Sequence, residues 1–385
     1  MHSTSVCNFM QKEDTMLLFT PGPTPVLESV RQAMATATLH HRTPEFEAIF
    51  KEARENLIKL FNMPEAIMLA SSGTGAMQSA MLHLCKSKAL TINSGKFGER
   101  FSKIADALNI PKIELKYEWD TPVKLDDVQE ALQTHPDIDA IFVQVSESAG
   151  GLRHPVEALA ALAKQINPNI MIVADGITAV GVEPIDTTHI DALITGSQKA
   201  LMLPPGLAMM GLSHEAIAKI DKGVDYYFNL ALELKNQRQN TTAFTPATTL
   251  IMGLNAMFGE IEKAGGLDKF YANSAKRAKA TQGALEAIGL TIYPTAPALS
   301  MSTVIDENAN EIRKILKNKY GVNMAGGQDH LKEKIFRINQ MGLIPAYESA
   351  WVVNAVELAL SDLGRRAYDG SANRVFNEIY YKENE

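Results

Sequence analysis

The reading of this chain turns on Thr195–Gly206, TGSQKALMLPPG, which continues from the apolar run Ala192–Thr195. Lys199 stands there in a stretch of small and apolar residues. A lysine occupies such a place when it snorkels outward, is paired, or uses its amine chemically. Desolvation lowers a lysine's pKa and leaves the amine nucleophilic, as Schiff-base chemistry requires. Upstream, Val173–Gly181 reads VADGITAVG, and the run Ile170–Ala174 ends in Asp175 and Gly176. A carboxylate at a buried strand end stays ionised only beside a cation; taken alone, Asp175 reads equally well as a helix N-cap. Further upstream, Ile67–Ala70 is followed by SSGTGAMQSAM. Ser71, Ser72, Gly73, Thr74 and Gly75 form a small-residue turn that opens a helix at about Ala76. Free N–H groups and the positive end of the helix dipole suit a phosphate at such a turn. The turn is neither a GK[ST] nor a GxGxxG motif, and by itself it is as readily structural.

Outward from these three segments the pattern alternates. The remaining apolar runs are Ala89–Ile92, Ile113–Leu115, Ala140–Val145 and Leu207–Gly211, with amphipathic helices at Phe97–Leu108, Leu125–Gln133 and Pro155–Gln165. Two helices precede them, Pro25–Met34 and Pro44–Phe61; in the second, Phe46, Ile49, Phe50, Ala53, Leu57 and Leu60 share one face. Strands so uniformly apolar are buried on both faces, which predicts an α/β fold with a mainly parallel central sheet covered by helices. Ligands bind such sheets at the carboxyl ends of the strands, where all three segments lie. The character changes near Gly265-Gly266. A long helix (Leu267–Ile288), strands at Leu290–Tyr293 and Ser302–Ile305, a helix Glu307–Tyr320, a strand Phe336–Asn339 and a helix Ala346–Leu363 predict a smaller α+β domain. The expected organisation is a flexible polar tail over 1–15, a large α/β domain with the N-terminal segment over 16–265, and a small C-terminal α+β domain over 266–385. Met16, which opens MLLFTPGPTPV, reads as an alternative start.

A length of 385 residues suits two domains, and 46% apolar with 21% charged residues is an ordinary globular mix. The two cysteines, Cys7 and Cys85, cannot build a disulfide framework, and without a CxxC pair no metal site is expected. A net charge of −7 with no long basic run argues against nucleic acid as a partner. No apolar stretch approaches the roughly 18 residues that span a bilayer, and the first twenty residues lack the pattern of a secretory signal. The expectation is a cytoplasmic protein with no membrane partner. Several residues take bland readings: His40, His41 and Arg42 as a polar loop, Cys85 and the Met209-Met210 pair as core, and the KRAK run Lys276–Lys279 as an exposed helix face.

A phosphate cradle, an acidic strand end and a buried lysine, in that order, are the parts that hold pyridoxal phosphate. With those parts in place the chain resembles the class V aminotransferases among the fold-type I pyridoxal-phosphate enzymes, and within them the alanine–glyoxylate and serine–pyruvate branch. The likeness runs through TPGPTPV (Thr20–Val26), HRTPEF around Arg42, SSGTGAM, SGKFGER (Ser94–Arg100), SESAGG (Ser146–Gly151), VADGITAVG, TGSQKALMLPPG and FRINQMG (Phe336–Gly342). The resemblance implies that Lys199 carries the cofactor and that Asp175 partners its pyridine nitrogen. It gives Gly73, Thr74 and Gly75 to the phosphate, Gln198 to a cofactor contact, Phe97 to stacking on the ring, and Ser148 to the ring and substrate. Arg337 matches the arginine that grips the substrate α-carboxylate. Thr245, in TAFTPATT, looks like the residue that reaches the phosphate of a neighbouring subunit, which implies a homodimer with shared active sites. Ala76 departs from the pattern, since some relatives carry histidine there; that bears on the substrate, not the cofactor. The implied reaction moves an amino group from a small amino acid, alanine or serine, to a 2-oxo acid, glyoxylate or pyruvate. Arg42 is the residue that would turn this preference toward aspartate, glutamate or phosphoserine. A cysteine desulfurase would need a nucleophilic cysteine in the second half, and neither Cys7 nor Cys85 lies there. A non-catalytic relative would be expected to lack Lys199, Asp175 or Arg337, and all three are present.

Overall fold

In each central strand successive side chains point to opposite faces, so a strand with no polar face must be covered twice. The strand over Ile138–Gln144 shows the consequence. Its Ile141 and Val143 enter one apolar core, with Leu57, Ile92 and Ile172, while Ala140 and Phe142 enter another, with Met77, Phe101 and Ile194. The computed structural model describes residues 16–220 and 224–382; the tail expected over 1–15 lies outside the described residues.

In chain order the elements begin with β1 (Leu17–Phe19), α1 (Glu28–Met34), α2 (Pro44–Phe61), β2 (Glu65–Leu69), α3 (Gly73–Leu84), β3 (Lys88–Asn93), α4 (Lys96–Ala107) and β4 (Lys112–Lys116). Next come α5 (Leu125–Thr134), β5 (Ile138–Gln144), β6 (Ser146–Glu147), β7 (Leu152–Arg153), α6 (Val156–Ile166), β8 (Met171–Asp175), β9 (Ala192–Gly196) and β10 (Ala208–Leu212). The helices α7 (His214–Lys219), α8 (Leu230–Gln237), α9 (Thr248–Lys263) and α10 (Gly266–Ala287) follow. The chain then runs through β11 (Thr291–Ile292), β12 (Met301–Ile305), α11 (Ala309–Lys319), β13 (Val322–Gly326), β14 (Ile335–Asn339), α12 (Ala346–Asp362) and α13 (Ser371–Lys382).

Seven strands form the first sheet, in the order β2-β10-β9-β8-β5-β3-β4. Only β10 runs antiparallel to its neighbours, so the sheet is mainly parallel and the fold is α/β as the apolar runs predict. The carboxyl ends of β2, β3, β5, β8 and β9 therefore share one edge. A second sheet has the order β1-β13-β14-β12-β11, with a separate apolar core built on Val304, Phe336, Ile338, Val352 and Val356.

Three expectations are corrected. The N-terminal segment does not stay with the large sheet: β1 pairs in parallel with β13, Leu17 to Val322 and Phe19 to Met324. Phe19 is buried in the second core, so the apolar LLF run is stabilised there rather than beside its sequence neighbours. The helix α10 also does not divide the cores at its start, because Phe270 packs in the first while Ala280, Ala284 and Leu285 pack in the second. Within the KRAK run, Arg277 is buried, not exposed. Its guanidinium donates to the carbonyls of Gln340 (2.8 Å) and Gly342 (2.6 Å), ends that no strand or helix partner takes up. Cys85 is buried with its thiol pushed up to about 12 by burial and Asp139, and Met209 and Met210 are both core. Among the described residues no helix is long and apolar enough to cross a membrane.

Candidate active site

The shared strand edge places five segments around one cavity. It is lined by Ser72, Gly73 and Thr74 after β2, Phe97 and Arg100 on α4, Ser146 and Ser148 after β5, and Asp175, Ile177 and Thr178 after β8; Gln198 and Lys199 after β9 close it. Lys199 projects from the turn that follows β9, and its Nζ donates to the carbonyl of Pro21 at 2.5 Å. Burial draws its pKa down to about 8; Asp175 opposes that, while Arg337 and Arg100 add to it. Asp175 ends β8, and its Oδ1 accepts from the Ile177 N–H at 2.9 Å. Burial raises its pKa to about 6 against the pull of that N–H, Arg100 and Lys199. An anionic Asp175 is thus costly until another cation faces it.

The turn after β2 is built for an anion. The N-cap residue of α3, Ser72, makes no side-chain cap, so the helix end is left open toward the cavity. A Cβ at Gly73 would stand 2.4 Å from Ile177 Cδ1, so the turn packs closely on the loop after Asp175, and a larger residue would push the Ile177 side chain aside. Gly75 is not in the lining, and its own N–H is taken by the Ser72 carbonyl at 2.9 Å.

Two side chains from outside the first sheet's strands complete the site. Phe97 is fixed by Glu147, whose Oε2 accepts from the Phe97 and Gly98 N–H groups at 2.9 and 2.8 Å and whose Oε1 accepts from Ala149 at 2.9 Å. This fully buried carboxylate is pushed up to about 7 by desolvation, opposed by the three N–H donors. Arg337 comes from β14 of the second sheet and is only 7% exposed. Its Nη1 donates to the Ser148 carbonyl at 2.6 Å, and Nε and Nη2 donate to Gly326 at 3.2 and 2.6 Å. Three of its five N–H groups are used, leaving one on each terminal nitrogen, the fork that a carboxylate fits.

The structure thus brings Lys199, Asp175, Gly73, Thr74, Phe97, Gln198 and Ser148 to one cavity, with Arg337 behind Ser148. It does not bring Arg42 or Thr245 there. Arg42 is exposed in the loop before α2, its N–H donating to His40 Nδ1 at 3.3 Å. Thr245 is exposed in a separate surface hollow with Ala70, Tyr227 and Phe244. Sequence reasoning passed over Arg100, Glu147 and the loop Pro21–Thr24. The first two lie in the quoted SGKFGER and SESAGG segments, where Arg100 follows Phe97 at helical spacing. The loop lies in the quoted TPGPTPV segment, but nothing in its residues points to the lysine. It is tied to the lysine turn across the chain: Thr24 Oγ1 donates to the Lys199 carbonyl at 2.7 Å, and the Thr24 N–H to that of Gln198 at 3.1 Å.

These residues fit pyridoxal phosphate. An amine with a lowered pKa, a buried carboxylate, an aromatic face and an open helix end surround one space, and the buried Ser146 Oγ has no hydrogen-bond partner among the described residues.

The family model for class-V aminotransferases matches residues 17–341. An uncharacterized aminotransferase of Helicobacter pylori is 50% identical over 95% of this chain and 100% of its own length. A serine–glyoxylate aminotransferase of Hyphomicrobium methylovorum is 28% identical over 95% of this chain and 94% of its own. Among solved structures, an aspartate aminotransferase of Thermus thermophilus superposes with a TM-score of 0.84 at 30% identity, covering 90% of this chain and 99% of that one.

Proposed function

The chain belongs to the class-V aminotransferases and is a pyridoxal-phosphate-dependent transaminase, and we propose that it moves an amino group from a small amino acid, alanine or serine, to glyoxylate or pyruvate. The observation that carries this reading is the meeting of Lys199 and Asp175 in one cavity, with Arg337 of the second sheet held against Ser148 of its wall. Bound pyridoxal phosphate supplies an electron sink that makes the substrate's α-proton labile. Lys199 would bear the cofactor and would take that proton and return it; an amine near 8 has both protonation states at hand around neutral pH. Asp175 would keep the ring nitrogen protonated, and Phe97 would cover the ring. Gly73 and Thr74 would hold the phosphate, with Gly75, its N–H taken by Ser72, shaping the turn behind them, and Gln198 and Ser148 would line the approach. Arg337 clamps the substrate carboxylate through its two remaining N–H groups, which fixes the α-carbon before Lys199.

A single carboxylate clamp supports the small donor. The relative named for serine and glyoxylate supports it too, while the solved neighbour is named for aspartate. We carry Thr245 into the same reading as a reach toward the phosphate of a second copy in a homodimer; its hollow is flanked by Tyr226, which is 82% exposed. Half-reactions with alanine, serine, aspartate, glutamate and phosphoserine, followed as conversion of the bound cofactor to its pyridoxamine form, test the donor. A preference for an acidic donor by more than about tenfold, roughly 1.4 kcal/mol, that Arg42→Ala erases would replace the small-donor reading.

A further inference from the structure

The cavity contains a cation that none of these roles uses. Arg100 lies one turn beyond Phe97 on α4, and its Nη1 donates to Thr74 Oγ1 at 3.0 Å. Its guanidinium carbon stands 4.6 Å from the centroid of the Phe97 ring. Ring and hydroxyl together hold the planar group against the first turn of α3, and Arg100 lines the same cavity as Lys199. Among the described residues no carboxylate forms an ion pair with it, and only one of its five N–H groups has a partner. An unpaired guanidinium held at two points beside an open helix end is a site for a doubly charged anion.

The local charges sharpen the need. The turn itself offers neutral donors: backbone N–H groups and the Thr74 hydroxyl. Ala76, the next buried side chain on α3, offers none. Two carboxylates, Asp175 and Glu147, lie buried close to each other near the same space. A phosphate brought into such surroundings needs a positive charge that Lys199, whose amine would be committed to the cofactor's aldehyde, would not supply.

We propose that Arg100 is a phosphate-binding residue of this site, pairing its remaining N–H groups with the cofactor's phosphate opposite the α3 turn. This rests on the pyridoxal-phosphate reading given above. Titration of the full-length protein, stripped of cofactor, with pyridoxal 5′-phosphate and separately with pyridoxal, which lacks the phosphate, tests it; binding is read by absorbance of the lysine adduct. Arg100→Met weakens pyridoxal phosphate roughly ten- to a hundredfold and leaves pyridoxal within about twofold. Arg100→Lys, which keeps the charge but not the planar fork, falls between. Equal weakening of both ligands would make Arg100 only a support for Phe97 and overturn the proposal. Unchanged pyridoxal phosphate affinity would overturn it too, as would a change confined to donor preference. If circular dichroism shows Arg100→Met unfolded, Arg100→Lys decides by whether its loss is selective for the phosphorylated ligand. Failure of the unmodified protein to take up either ligand would sink the cofactor reading instead.

Discussion

At the scale of the residue, Lys199 and Arg337 do separable work. Lys199→Ala leaves the cavity's other contacts in place but removes the amine proposed to bear the cofactor and move the proton. Loss of a positioned general base costs about 10²–10⁴ in turnover, so the variant should still take up pyridoxal phosphate, weakly and without the absorbance of a lysine adduct. Arg337→Lys keeps the charge and loses the fork, because a single ammonium cannot present two parallel N–H groups to a carboxylate. The expected result is a donor KM raised about ten- to a hundredfold, roughly 1.5–3 kcal/mol, with cofactor affinity nearly unchanged. Loss of cofactor with donor affinity intact would show that Arg337 is not the clamp. The lowered Lys199 amine adds a pH signature. Only the neutral amine attacks an aldehyde, and with its pKa drawn from 10.5 to about 8 the neutral fraction grows as pH rises through about 8. Capture of pyridoxal phosphate by the stripped protein, followed by stopped-flow absorbance, should therefore accelerate between about pH 7 and 9 and then level. A rate still climbing toward pH 10 would mean an ordinary exposed lysine.

At the scale of the element, the loop Pro21–Thr24 carries a constraint that its sequence hides. Gly22 sits at φ +114, and a Cβ there would stand 2.3 Å from Lys199 Nζ and 2.7 Å from its Cδ and Cε. Gly22→Ala is thus strained in backbone and collides with the reactive amine, which must swing away from the Pro21 carbonyl. Overpacking of this kind costs about 1–3 kcal/mol; the assay is turnover beside a melting curve, and a drop in activity much larger than the drop in stability is the expected pattern. An unchanged activity would show that the loop does not confine Lys199. The case also marks what the sequence could tell. Strands β2, β5, β8 and β9 were legible because burial on both faces forces an unbroken apolar run. Lys199 and Asp175 were legible because each sits at or just after such a run, while Phe97 was legible only through the resemblance that SGKFGER carries. The strand β13, VNMAG, was not, having one β-branched residue and a glycine; it is made a strand by β1 and β14 on either side. The helices α8 and α9 went unread as well, α9 because Gly253 and Gly259 interrupt its pattern. Arg277 misled for the opposite reason: a lysine-flanked arginine looks solvated unless one knows that three carbonyls between residues 340 and 344 await it.

At the scale of the whole molecule, the candidate site couples two sheets: Lys199 and Asp175 belong to the first, Arg337 to the second, and β1 crosses between them with the Gly22 loop behind it. The buried charges at that junction set how stability varies with pH. Asp175 holds its proton more tightly folded than unfolded, its pKa rising from 3.8 to about 6 through burial. Between those values the folded state binds more protons, so this group's contribution is fully present below about pH 4 and is lost as pH rises to about 6. Asparagine carries no such proton. The denaturation midpoint of the stripped protein should therefore fall relative to that of Asp175→Asn as pH rises from about 4 to 6, by an amount on the order of a few kcal/mol. Glu147, also raised, pushes both proteins the same way and largely cancels in the comparison. Loading with pyridoxal phosphate reverses the trend for the unmodified protein, because a protonated ring nitrogen beside Asp175 favours the carboxylate that burial alone disfavours. Urea unfolding of both proteins at several pH values, with and without cofactor, reads all of this. If the two stripped proteins track each other across the window, Asp175 is already paired without the cofactor. If loading leaves the difference between them unchanged, Asp175 does not face the ring.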